Sequence, residues 1–209
     1  MSEELGRVEK PEVSSFKQNR KIIQVPLVYS GKDAPADYAE LFDKYWQQVD
    51  EMISKLEARL GRVTVILHES ITDSGEEGYK VMQELNSKSH AICTAKRENG
   101  ARLLVFEDST LLADVMDWER CMMIGFFSEN VARKVYDAFS ECSKLRYQHI
   151  SKSINDLLKD GDIALLFIRE GHAIQFPPDT DVFMVAPPAL DEIHRWVRDH
   201  SASLEKAQP

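Results

Sequence analysis

Three short clusters in the sequence hold residue types that can move protons or hold a metal: His68-Glu69, Glu107-Asp108 and Glu170-Gly171-His172. Each follows an apolar run, RVTVIL at 62–67, ARLLVF at 101–106 and IALLFI at 163–168. Runs of this kind read as buried strands. In open α/β sheets, ligands bind beyond the carboxyl ends of the strands. If the strands are parallel, the three clusters meet at one edge. Two imidazoles and several carboxylates there could bind a divalent metal and activate water, or do acid–base work without one. On this expectation Glu69 or Glu107 is the water-activating base, and His68 and His172 are metal ligands or electrophilic groups. The plainer alternative is that strand ends meet water, so polar residues belong there in any fold.

Other motifs are weaker. His68-Glu69 is not an HExxH zinc motif, because position 72 is Thr and the pair follows a strand. Gly75 and Gly78 do not make a phosphate loop, since the GK[ST] ending is missing. Arg120 and Arg146 lie on helical stretches within reach of an anionic substrate, although such arginines more often pair with surface acids. His90, His149, His194 and His200 have no spacing that signals a metal, and read as helix-surface or partly buried residues. Cys93, Cys121 and Cys142 form no CxxC pair and read as buried thiols.

The elements that would position these groups follow from periodicity. Residues 21–29 (KIIQVPLVY) form a first strand, and Pro26 marks an edge or a strand end. Pro35 opens a long helix, with Asp33 as its expected cap and Gly61 as its terminator. Ser74 begins a capping-box pattern, and Ser89 is the expected cap of a second short helix ending at Gly100. A helix at 109–123 and a longer one at 128–158 precede the third cluster. The run VFMV at 182–185 is a last strand, and Pro187-Pro188 enter a final amphipathic helix. Residues 172–176 are a candidate edge strand. The order predicts an α/β fold, a mostly parallel sheet with helices on both faces. The shortness of 171–180 favours antiparallel pairing for the last strand. Residues 1–19 are expected to be a mobile tail, 20–200 a single α/β domain and 201–209 a frayed tail.

A formal net charge of −9 argues against a nucleic-acid or acidic-lipid surface. The longest apolar run is too short to span a membrane, and no apolar core segment of a signal peptide is visible near Met1. The cytoplasm is the expected compartment.

The strand and turn ALLFIREGH, with Arg146, Ile150 and Ile154 on the helix before it, resembles the C-terminal part of the TraB/Tiki-like superfamily. The segment from Gly100-Ala101 to Glu107 is similar to an internal element of that group. The resemblance spans roughly the half of the chain after Gly100. It implies a metal-dependent, hydrolase-like site, with His172 on the histidine of the late glycine-histidine motif and Glu107 on the internal glutamate. The family's first GxxH motif is missing, because the early strand offers Tyr29-Ser30-Gly31.

The leading functional expectation is therefore a hydrolase-like enzyme acting on a small molecule or peptide, with a divalent metal as its candidate cofactor. The alternative is a non-catalytic binding or scaffold protein that self-associates as a homo-oligomer. It rests on the two long amphipathic helices, which exceed what a small sheet must cover. A sensor using the same pocket without turnover is a third reading.

Overall fold

The computed structural model describes residues 19–207, with side chains described through residue 200. Five strands are assigned: β1 (Arg20–Pro26), β2 (Val65–His68), β3 (Arg102–Leu103), β4 (Ile163–Ile168) and β5 (Thr180–Met184). Six helices accompany them: α1 (Ala36–Leu60), α2 (Gly75–Leu85), α3 (Ser87–Glu98), α4 (Ser109–Met123), α5 (Glu129–Leu157) and α6 (Pro188–Ala207). The strand order is β3-β2-β4-β1-β5, and every pairing is parallel. All five carboxyl ends therefore point to one edge.

The period of two along each strand sorts the core into two layers. Ile23, Val25, Ile66, Leu165 and Phe167 face one way and meet Tyr45, Trp46, Val49 and Ile53 of α1, together with residues of α2, α3 and α6. Ile22, Val65, Leu67, Ala164, Leu166 and Ile168 face the other way, onto Ile150 and Ile154 of α5. Trp46 thus serves the domain's own core. Only the C-terminal part of α5 is used in this way: its buried residues are Arg146, Ile150 and Ile154. Its first half runs beyond the sheet edge, paired with α4.

The last strand corrects one expectation. β5 is parallel to β1, with Ile22 opposite Val182. A parallel return usually needs a helix. Residues 169–179 make it as irregular chain, without a helix or strand. At roughly 3.3 Å per residue, extended chain covers ground that a helix at 1.5 Å per residue cannot. Ile174 and Phe176 of this crossing pack into the α5-side core, so 172–176 lines a core rather than forming an edge strand.

Smaller differences also have physical reasons. Asn86, not Ser89, caps α3, accepting from the N–H groups of Lys88 and Ser89. Its carboxamide also donates to the Val28 carbonyl, 2.8 Å away, which fixes it in place. Ser74 and Pro35 occupy the caps of α2 and α1 without side-chain bonds, so Asp33 is not a cap. β3 keeps only two ladder residues of the run 101–106. α6 continues through Ala207, and residues 208–209, the end of the expected C-terminal tail, lie outside the described residues. Residues 1–18, the greater part of the expected N-terminal tail, lie outside the described residues.

β5 is an edge strand, and its Val182 and Met184 are exposed. Leu165, by contrast, is fully buried in the central strand. Leu165→Ala is expected to cost about 2–5 kcal/mol, and Met184→Ala less than about 1 kcal/mol. Urea unfolding of the two variants beside the wild type measures this contrast.

Candidate functional site

At the carboxyl edge the three sequence clusters separate. Two of them are joined by an arginine that sequence reading placed on a surface. Arg146 is fully buried. Its Nε donates to Glu107 Oε2 at 3.0 Å, and its Nη2 reaches both Glu107 Oε1 and Glu69 Oε1. Glu69 also accepts from Arg169, through the backbone N–H at 2.7 Å and Nε at 2.6 Å. Arg169 Nη1 continues to Glu119 on α4 at 2.8 Å. Glu107 completes its bonding with the Ser70 N–H at 3.1 Å. Ser70 sits at φ 68, a left-handed conformation unusual for a non-glycine residue. The ends of β2 and β4, the segment after β3, and helices α4 and α5 are thereby tied together.

Glu69 and Glu107 do converge, as a parallel sheet requires, but each has its oxygens engaged by guanidinium or backbone N–H groups. Neither is placed as a free base. A buried carboxylate is tolerated because such partners replace its lost water.

His68 lies on the other face of the sheet. Its ring is 5.5 Å from that of Phe167. Nδ1–H donates to the Glu69 carbonyl at 2.7 Å, and Nε2 accepts from the Ser89 hydroxyl at 2.9 Å. Burial pushes its pKa down to about 4, against a smaller upward pull from Glu69. His172 stands apart again, its Nε2 2.7 Å from the Gln24 carboxamide and its Nδ1 accepting weakly from the Ile174 N–H at 3.3 Å. Desolvation lowers its pKa, and the nearby charge of Glu69 opposes that shift. His172 is therefore neutral at pH 7.

These placements do not fit a metal centre built from His68, His172, Glu69 and Glu107. Both nitrogens of His68 are engaged, and both carboxylates are held by Arg146. Among the described residues, no three His, Cys, Asp or Glu side chains are grouped so as to hold an ion.

What the edge does contain is a cavity of about 530 Å³ beyond the ends of β1, β4 and β5. Pro26, Ile168, Met184, Ala186 and Leu190 supply its apolar surface, and Gln24, Arg169, Glu170, His172, Asp191 and His194 its polar groups. The volume suits a metabolite-sized ligand. The connections after β1 and β4 leave on opposite faces, to α1 and to the Ile174 crossing, and that divergence opens the crevice. Gly171, at φ 72, turns the chain out of β4 so that His172 enters the cavity.

His194, expected at a helix surface or partly buried, lies half-exposed on α6, and its Nε2 is 2.7 Å from Glu170 Oε2, a pairing that sequence reasoning did not foresee. Their separation in sequence gave no local pattern. The only available signal was that Pro187-Pro188 must return the start of α6 to the same edge. No family model, curated protein or solved structure matches the chain. No helix among the described residues is long and apolar enough to cross a membrane.

Removing Arg146 would leave two buried carboxylates facing one another. Arg146→Met is expected to destabilise by about 3–5 kcal/mol, with partial recovery in Arg146→Met/Glu107→Gln; chemical denaturation of both variants measures this. His68 predicts a distinct acid effect. The unfolded chain takes up a proton near pH 6.5, whereas the folded ring resists until about pH 4. Its stabilisation is thus present above pH 6.5 and is lost as pH falls toward 4, by at most ~3 kcal/mol. His68→Gln should show a shallower fall in urea midpoint between pH 7 and pH 4.5 than the wild type.

Proposed function

We propose that the chain is a hydrolase-like enzyme acting on a small molecule in the cavity at the ends of β1, β4 and β5, without a metal. The observation that carries this reading is the Glu170–His194 pair, 2.7 Å apart and lining the same cavity as Arg169 and His172. An imidazole oriented by a carboxylate is the arrangement general-base catalysis needs. With Nε2–H donating to Glu170, Nδ1 is left as the acceptor, and it makes no hydrogen bond among the described residues.

In this mechanism His194 Nδ1 takes a proton from water as the water oxygen bonds to the substrate carbonyl carbon. Glu170 steadies the imidazolium that results. In this reading Arg169, which lines the same cavity, supplies the positive charge that offsets the developing oxyanion. Collapse of the tetrahedral intermediate breaks the bond to the leaving group, which takes the proton back from His194. His172, whose two nitrogens are taken up by Gln24 and the Ile174 N–H, contributes its ring to the cavity wall against which the substrate rests.

Turnover of p-nitrophenyl acetate and butyrate tests this. His194→Ala is expected to lose about 100-fold or more in kcat/KM and Glu170→Gln at least about tenfold, with unchanged melting temperatures. Equal rates in the wild type and both variants would overturn it.

A second reading, a non-catalytic protein that assembles through its helices, is favoured by a different observation. Met123, Ile124, Phe127, Val131 and Tyr136 are exposed together along the α4–α5 hairpin. Monomer mass in light scattering at micromolar concentration speaks against self-association. A dimer dissociated by Ile124→Ser/Phe127→Ser would support it.

A further inference from the structure

One side of α5 is used for two purposes. Ile150 and Ile154 press on the sheet. Tyr136, Ser140, Ser143 and Tyr147 recur at helical spacing toward its N-terminus, so they continue that same side past the sheet edge. There the helix overhangs a second, open cavity of about 710 Å³, bordered on its far side by Ala173 and Gln175 of the β4–β5 crossing. The crossing is pinned to the helix: the Gln175 N–H donates to Ser151 Oγ at 3.0 Å, and that hydroxyl donates to the Tyr147 carbonyl at 2.7 Å.

The lining defines a ligand class. Three rings, Tyr136, Phe139 and Tyr147, give flat apolar walls suited to stacking an aromatic group. The Tyr147 ring is itself anchored, 5.8 Å from the Arg146 guanidinium. Ser140 and Ser143 make no side-chain hydrogen bonds among the described residues and present hydroxyls to whatever enters. Lys144 is the only charged residue of the lining, and it makes no ion pair among the described residues. In a chain of net charge −9, an unpaired ammonium beside an otherwise uncharged aromatic cavity selects an anion.

We propose that this cavity is a binding site for a small planar aromatic anion. The ring system lies among Tyr136, Phe139 and Tyr147, the carboxylate or equivalent acidic group meets Lys144, and Ser140 and Ser143 supply hydrogen bonds. The site is separate from the cavity that holds His194. The crossing runs between them, with Gly171 and His172 on one side and Ala173 and Gln175 on the other.

The test is calorimetric titration of the full chain with 2-naphthoate and with 2-naphthamide, its uncharged analogue. Saturable one-to-one binding of naphthoate is expected, with naphthamide about fivefold weaker, the size of one partly exposed charge contact. Lys144→Gln should remove that preference while leaving naphthamide binding and the melting temperature unchanged. Ser140→Trp should abolish binding of both probes by filling the cavity. His194→Ala should bind both as the wild type does. No saturable naphthoate binding, full binding by Ser140→Trp, an undiminished preference in Lys144→Gln, or loss of binding in His194→Ala would each overturn the proposal. The last outcome would place the probe in the other cavity.

Discussion

The carboxyl edge of the sheet depends on one buried cation. Arg146 arrives from α5 at the point where that helix leaves the sheet, and it neutralises the acids that end β2 and follow β3. Without it, Glu69 and Glu107 would be two like charges in a region that excludes water. Arg169 shares Glu69 and extends the chain of ion pairs to Glu119, so the α4–α5 hairpin is tied to the strand ends by charge as well as by packing. Such a network contributes little net stability over an apolar replacement, because desolvating its members offsets their attraction. Its effect is geometric: it fixes where the turns after β2 and β4 can go.

That constraint decides which polar groups remain available. The carboxylates nearest the centre of the edge are consumed in holding the edge together. The groups left with unused hydrogen-bonding capacity lie to one side, where α6 begins and the β4–β5 crossing departs. Glu170 and His194 come from different elements and meet there only because β5 is parallel to β1 and returns the chain to the amino end of α6. Topology, rather than local sequence, assembles the pair.

This explains what could be read from the sequence and what could not. Apolar runs bounded by polar clusters located β2 and β4 closely, and the helical periodicities of α1, α4 and α5 were plain. A mainly parallel sheet followed from their alternation, and so did the meeting of Glu69 with Glu107. The role of Arg146 did not, because an arginine on an amphipathic helix looks the same whether its side faces water or the end of a sheet. His68 was misleading for a related reason: it is the last residue of β2, and the period of two turns it into the α1-side core. The direction of β5 was lost because connection length alone does not distinguish a tight reversal from an extended crossing. Ser89 and Asn86 both have cap chemistry, and only the Val28 carbonyl, distant in sequence, selects Asn86.

The strand order also bears on how the chain reaches this structure. β1 is made first, yet both its neighbours, β4 and β5, are made last. A chain emerging from the ribosome can form α1, the α2–α3 pair and the β2–β3 ladder from nearby residues, but its first strand stays without a partner until the final third has been synthesised. Contacts so distant in sequence carry a large loop-closure cost and slow the search for the native state. Meanwhile residues 20–26 present an apolar, unpaired strand to any other chain nearby. Long α1, which covers Ile23 and Val25 in the finished fold, is the nearest element able to shield that strand during the wait.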